Sequence, residues 1–413
     1  MRPKEGAFPL LFLTCHLPYP PYSGGRVRDY ELLKRICRET DVHLCAVSKT
    51  YEEDVRNAAE LSGLCASVEV CRASGASARS SRANDAAQVL RHASPSASAY
   101  VDGVLDDGVV DLVHVEGFYL LQHVPHGCPV PTLLVEQNVE YALWRQRAEN
   151  ARDAEERVEA LRQFRLTRKA EIAAWREADL CAVVTEDDRS EMLAAVPELD
   201  VRVLPDGADH IERREAAGSF RRRSDRPTVV FVANFAYQPN VDAAFYLCDA
   251  ILPLVAAEVP SVRFELVGNA PPAELAARSD ERIVVTGRVP AVEPFLDSAD
   301  VVACPLRVGG GVKVKVLEAL ARGKAIVTTS VGAQGLGPGM RAAACIEDDA
   351  AGFATAVAEL LRNPSKRRTL ERRASAFAAT ALPRWDETAA ALLGCYDELR
   401  TTRLVGADAS SSS

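Results

Sequence analysis

The chain has 413 residues, 48% of them hydrophobic and 26% charged, with a formal net charge of −9. That length suits two domains with ordinary cores, and the acidic balance argues against a bulk nucleic-acid binder, which carries a basic footprint. Its 11 cysteines are dispersed, odd in number and without a CxxC pair, so neither a disulfide framework nor a zinc site is expected. Buried free thiols in a reducing cytoplasm fit this usage.

The apolar start Phe8-Pro-Leu-Leu-Phe-Leu-Thr-Cys15 is interrupted by proline and too short to span a bilayer. It reads as a buried first strand. From there short apolar runs alternate with longer amphipathic ones, the signature of parallel strands joined by helices. Strands are expected in the first half at Leu10–Thr14, Val42–Val47, Leu112–Val115, Thr132–Glu136, Leu180–Val184 and Val201–Leu204. Helices are expected at Arg28–Glu39, Glu52–Leu61 and Arg152–Ala178, the last rich in Arg and Glu with apolar residues at helical spacing. Residues 72–99, rich in Ala, Ser and Arg, read as a solvated loop in preference to a surface helix with a loose connection.

Near 205–227 the texture changes to a Pro205-Asp-Gly turn followed by a basic, polar run, read as an interdomain linker. The alternation then resumes. Strands are expected at Val229–Ala233, Arg263–Val267, Ile283–Thr286, Val301–Cys304, Ala325–Thr328 and Ala344–Ile346. Helices are expected at Val241–Ala256, Ala291–Ser298, Val312–Ala321, Ala351–Leu361 and Trp385–Leu399. The domains are placed at 1–220 and 221–383, with a helix at about 384–403 packing back on the first domain and a flexible tail at 404–413. Ligands of open parallel sheets bind at the carboxyl ends of the strands, so the chemistry-bearing motifs are sought there.

The most informative run is Pro305 to Gly323. Gly309-Gly310-Gly311 precedes a helix that carries Lys313, Lys315 and Glu318 in its first turns. Glycines let backbone approach a ligand, and a helix start offers unpaired amides and partial positive charge for phosphate. Lysines add full charge, and the carboxylate accepts from sugar hydroxyls. The bland alternative is an exposed Lys315–Glu318 pair at i, i+3, worth a few tenths of a kcal/mol. Against it, three glycines cost chain entropy and add no packing.

Gly24 and Gly25, after the first strand, form a second amide-rich turn that suits phosphate or is a plain turn. His114 and Glu116 alternate along a strand end and point to one side. All seven histidines lie at or before His210, so any catalytic imidazole comes from the first half. His114 is equally readable as a packed structural residue. Asn138 and Glu140 form another polar strand end, able to touch an acceptor or to cap a helix. Asn234 ends the first strand of the second half, and Asn240 reads as a helix cap. No zinc constellation, Walker A loop or GxSxG elbow occurs.

These residues resemble the retaining, nucleotide-sugar-dependent glycosyltransferases of family four. The resemblance rests on the loop ending in Gly24-Gly25, on Asp111–Glu116, Glu136–Tyr141, Val203–Asp209, Phe231–Asn240, Leu266–Gly268, Ala299–Pro305 and Gly309–Gly335. The last is most similar to a subgroup in which Gly-Gly-Gly leads into Lys-x-Leu-Glu-Ala. Two departures stand out. Gly310 occupies the place of the first of two glutamates spaced by seven residues. Asn234 and Pro239-Asn240 stand where an Arg and a Lys are common.

The resemblance implies the α/β GT-B fold, two Rossmann-like domains facing across a cleft. It implies donor contacts from Gly24, Gly25, Lys313, Lys315 and Glu318, with charge stabilisation by Lys315; with the motif readings above, the candidate site adds donor contacts from Asn234, Gly310 and Gly311, acceptor contacts from Asn138 and Glu140, and catalytic roles for His114 and Glu116. The resemblance also implies transfer of a sugar from a nucleoside diphosphate to an acceptor hydroxyl, with retention of configuration and without metal or other cofactor. The acceptor is then a small molecule, a lipid-linked species or a glycan. The expected setting is the cytoplasm, with peripheral membrane contact left open. Two rival readings are a nucleotide-sugar-binding subunit without transfer and a non-hydrolysing nucleotide-sugar epimerase.

Overall fold

The computed structural model describes residues 7–74, 85–151, 153–210, 226–337 and 339–410, with side chains as far as residue 402. The chain divides into one unit of residues 1–206 and 385–413 and another of 207–384. The expected boundary at 220/221 lies outside the described residues.

The first unit is built on seven strands: β1 (Phe8–Thr14), β2 (Thr40–Ser48), β3 (Ser67–Arg72), β4 (Leu112–Glu116), β5 (Thr132–Glu136), β6 (Leu180–Val183) and β7 (Val201–Val203). Their order is β3-β2-β1-β4-β5-β6-β7, and every pairing is parallel. The central strands are buried on both faces, which explains their continuous apolar runs. Six of these seven strands were legible. β3 was not, because it is an edge strand with one buried residue and Glu69 exposed in its middle.

Helix α1 spans Gly24–Ile36, four residues ahead of the expected start at Arg28. Extended Ser23 precedes it, and the two glycines form its opening turn. A glycine pair looks like loop in sequence because glycine is a poor helix former. Residues 75–84 lie outside the described set. The rest of the segment read as loop is partly helical, at Ala87–Arg91 and from Pro95. There Ser94 caps the second helix by accepting from the Ala97 amide, with Pro95 at the first helical position. The long helix Ala154–Glu177 is capped by Asp153 and buries Trp175. The last helix runs from Trp385 to Ser410, past the 404 at which a tail is expected. It packs on α1 and β5, with Trp385, Leu392 and Tyr396 in the same apolar cluster as Phe12, Leu33 and Leu133.

The second unit has six strands: β8 (Thr228–Val232), β9 (Arg263–Val267), β10 (Ile283–Gly287), β11 (Val301–Cys304), β12 (Ile326–Thr328) and β13 (Cys345–Ile346). The order is β10-β9-β8-β11-β12-β13, again all parallel. All six were expected within two residues at each end. Among the described residues one continuous helical run, Gln238–Glu258, is long and apolar enough to cross a membrane. Ala243, Ala244, Leu247, Ile251 and Val255 on its inner side belong to the core of this unit.

Candidate functional site

In each sheet the strand order reverses once, between β1 and β4 in the first unit and between β8 and β11 in the second. Such a reversal opens a crevice at the carboxyl ends of the two strands, because their connections leave in opposite directions. The residues singled out from the sequence gather at these two places.

In the second unit, the chain leaves β11 through Gly309-Gly310-Gly311 and enters the helix Val314–Ala321. Gly311 has φ 59°, a left-handed conformation that favours glycine. Lys313 precedes the helix and is almost wholly buried. Its Nζ donates to the carbonyls of Gly310 at 2.9 Å and Gly311 at 2.7 Å. A side chain on Gly309 would meet Lys313 Cε at 3.0 Å. Lys313 thus braces the glycine turn from inside. The helix begins at Val314 rather than the expected Val312, because this bracing holds Lys313 extended, at φ −94° and ψ 98°.

Lys315 lies on the first turn of that helix. Its Nζ donates to Asn240 Oδ1 and sits 5.2 Å from the centre of the Phe231 ring. Burial lowers its pKa, while Cys304 and Glu318 oppose that shift. Asn240 in turn donates through Nδ2 to the Asn234 carbonyl at 2.7 Å. It is therefore a buried bridge, and the helix after β8 starts earlier, at Gln238, with Tyr237 in the cap position. Asn234 uses its own side chain locally, its Oδ1 accepting from the Ala236 amide at 3.1 Å.

Glu318 stands one turn beyond Lys315. It is partly buried, and its carboxylate accepts no hydrogen bond among the described residues. Burial first, then the nearby Glu293 charge, push its pKa up to about 7, and Lys315 offsets only part of this. A carboxylate that is desolvated and left without donors is suited to hydroxyl groups from outside the protein.

In the first unit, His114 is fully buried on β4 and stacked on Phe12, with ring centres 4.2 Å apart. Its Nδ1 is 2.6 Å from the Tyr396 hydroxyl and its Nε2 is 2.9 Å from Glu116 Oε1. Both ring nitrogens are occupied, so His114 holds Glu116 and presents nothing to a ligand. Glu116 is likewise buried, and its Oε2 accepts from Gln137 Nε2 at 3.0 Å. Burial would raise its pKa, but His114 and Arg28 hold it below the usual carboxylate value. Arg28 pairs with Asp206 at 2.7 Å.

Gln137 carries this network to the opening turn of α1. A side chain on Gly25 would lie 3.1 Å from Gln137 Oε1 and 3.0 Å from His16 Cε1. A side chain there would be tight against both neighbours, which would have to give by a few tenths of an ångström. The amides of Gly24 and Gly25 open a thirteen-residue helix whose first turn carries no acidic side chain, so the turn keeps its partial positive charge. Gln137 and His16 are contacts the sequence reading missed. Neither stands in a recognisable pattern, and only the fold brings them to Gly25.

Glu140 begins the helix Glu140–Glu149, and its Oε2 accepts from Gln88 Nε2 at 2.7 Å. Burial raises its pKa. Val139, not Asn138, holds the cap position, and Asn138 has no hydrogen-bonding side-chain partner among the described residues. His123 is engaged by Ser98 and the His92 carbonyl, and His126 by Glu177. Among the described residues no group of three or more His, Cys, Asp or Glu side chains could hold a metal ion.

Residues 226–363 match the family described as glycosyl transferases group 1. The matched segment contains the glycine turn, Lys315 and Glu318. No curated protein sequence matches the chain. Among solved structures the chain is similar to sucrose-phosphate synthase from Thermosynechococcus elongatus, with a TM-score of 0.71 and 16% identity over 96% of this chain and 100% of that one. It is also similar to Anabaena HepE in complex with UDP-glucose, with a TM-score of 0.62 and 15% identity over 94% and 100% of the two chains. A glycosyltransferase from Rickettsia africae aligns at 0.61 and 11% identity over 96% and 99%. The likeness establishes the expected GT-B fold, two parallel-sheet α/β domains.

Proposed function

We propose that the protein is a retaining glycosyltransferase that moves a sugar from a nucleoside diphosphate to an acceptor hydroxyl. One observation carries the reading. A helix N-terminus, a lysine and a donor-free carboxylate stand in one short run at the switch point of a domain matching group 1 glycosyl transferases. The opening amides at Val314 and Lys315 and the Lys315 ammonium meet phosphate charge that grows as the glycosidic bond breaks. Lysine and amides supply the charge, so this reading needs no metal. Glu318 accepts from the ribose hydroxyls.

In the first unit, the Gly24–Gly25 amides offer a second set of phosphate donors. His114 and Glu116 act at one remove, fixing Gln137 against the α1 turn. Asn138, whose side chain is unengaged, is the better placed of the two acceptor candidates, since Glu140 is tied to Gln88. Acceptor attack on the face the leaving phosphate vacates retains configuration, with that phosphate helping to deprotonate the acceptor. HepE, of the same fold, is described in complex with UDP-glucose, so uridine nucleotide sugars are the first probes.

The test is a thermal-shift screen against nucleotide sugars, since a ligand bound only by the folded state raises apparent stability. Any stabilising donor is then followed by NMR with and without acceptors. Transfer with retained anomeric configuration supports the proposal. Epimer formed without acceptor, or donor binding with no transfer to a broad acceptor panel, overturns it.

A further inference from the structure

Eight of the eleven cysteines are buried, and Cys15, Cys128 and Cys345 are partly exposed. Cys15 differs from the other two in its company. It follows β1 directly, at the β1/β4 switch point, and its Sγ is 3.2 Å from His16 Nδ1. On the other side of the ring, His16 Nε2 is 3.1 Å from the buried Asp29 Oδ2, an ion-pair distance. Thr14 Oγ1 donates to the same oxygen at 2.5 Å and holds it in place. His92 and Tyr119, stacked on each other at 4.1 Å, also interact electrostatically with the sulfur. A thiol, an imidazole and a carboxylate are thus in line, with two further polar groups around the sulfur.

The electrostatics agree with the geometry. Burial opposes ionisation of Cys15, but the His16 charge and hydrogen bond overcome it and hold the thiol well below its ordinary value. Burial likewise opposes protonation of His16, and the thiolate and Asp29 raise its pKa to about 10. Cys71 is also lowered, through Cys45, but it is buried within the sheet. Cys345 is raised by burial.

We propose that Cys15 is a modification site for small hydroperoxides, a thiolate–imidazolium pair whose oxidation closes the crevice beside Gly25. The sulfur attacks one peroxide oxygen, so that an S–O bond forms and the O–O bond breaks. The departing hydroxide takes the proton of His16 and leaves as water. Cysteine becomes sulfenic acid, a two-electron oxidation, and the peroxide is reduced by two electrons. The consequence for the crevice follows from contact. His16 lies against Gly25, whose absent side chain would come within 3.0 Å of its ring. An oxygen added to the sulfur, together with loss of the imidazolium charge, alters the surface the α1 turn offers to phosphate. This second part rests on the function proposed above; the site itself does not.

The full-length protein at pH 7 is treated with limiting hydrogen peroxide, trapped with dimedone and mapped by mass spectrometry. A parallel sample is treated with limiting iodoacetamide. Cys15 is expected to react about tenfold faster than Cys128 and Cys345, since full ionisation outweighs the lower nucleophilicity of a stabilised thiolate. His16→Gln should remove that advantage, with the fold checked by circular dichroism. Equal or slower reaction at Cys15 in the wild-type protein overturns the site, whether or not any variant folds.

Binding of a stabilising nucleotide sugar is then measured before and after peroxide. Loss in the wild type that is restored by dithiothreitol and absent in Cys15→Ser supports closure of the crevice. An adduct on Cys15 with donor affinity unchanged overturns the closure. If no nucleotide sugar binds, the proposed function fails, and the adduct map alone still decides the site.

Discussion

Replacing Glu318 with Gln separates a ligand-binding carboxylate from a structural one. The carboxyl is held at about 7 instead of its ordinary 4.5. At about 1.4 kcal/mol per pKa unit, ionisation in the folded protein is disfavoured by about 3 kcal/mol. Partial exposure screens some of this, leaving about 1–2 kcal/mol. Because the folded pKa is raised, the favourable contribution is complete below pH 4.5 and is lost as pH rises through about 7.

Glu318→Gln should therefore equal wild type in stability at pH 4.5, and exceed it by about 1–2 kcal/mol at pH 8. It should bind donor more weakly, since a charge-assisted hydrogen bond contributes about 1.5–3 kcal/mol, a factor of about 10–150. In the wild type the ionised fraction rises about tenfold between pH 6 and 8, so donor KM should fall by about that factor, and in the variant it should stay flat. Urea denaturation and donor KM across that range read both effects. A wild-type KM independent of pH, with a variant KM within about twofold of it, would refute the reasoning. So would a variant less stable than wild type at pH 8.

Lys315→Ala should lower kcat by about 100- to 1,000-fold if the ammonium stabilises charge that develops in transfer. Steady-state kinetics with a saturating donor checks this, and a change confined to KM would count against the role. Tyr396→Phe removes the hydroxyl that satisfies the buried His114 Nδ1 and should cost about 1–3 kcal/mol in urea denaturation. Gly268→Ala places a Cβ 1.7 Å from the Ala233 carbonyl oxygen at φ 149°, so a loss of about 2–4 kcal/mol is expected, read as a lowered urea midpoint.

The fold was legible where hydrophobic runs are complete. β5 and β11 begin and end at the expected residues, because strands buried on both faces carry apolar runs; β9 does so too, although Glu265 interrupts its run. It was least legible where polarity or glycine masks structure, as in edge strand β3 and in the Gly24–Gly25 turn of α1. In the candidate site, the turn at Gly311 and the position of Glu318 one turn beyond Lys315 on the helix could be read from spacing alone. Lys313 could not, since a lysine next to a phosphate and a lysine folded onto its own carbonyls have the same sequence. His114 shows the same limit from the other side. Its second partner, Tyr396, lies 282 residues away, and no local pattern records it.

The return of the last helix to the first unit has a consequence for how the chain is made. Residues 207–384 are contiguous and can complete their unit as soon as they leave the ribosome. The amino-terminal half, although synthesised first, must wait for Trp385, Leu392 and Tyr396 to close its apolar cluster and to supply the hydroxyl that His114 needs. The order of synthesis and the order of completion are therefore reversed. A stalled or prematurely stopped chain would carry a finished carboxyl-terminal half beside an open amino-terminal core.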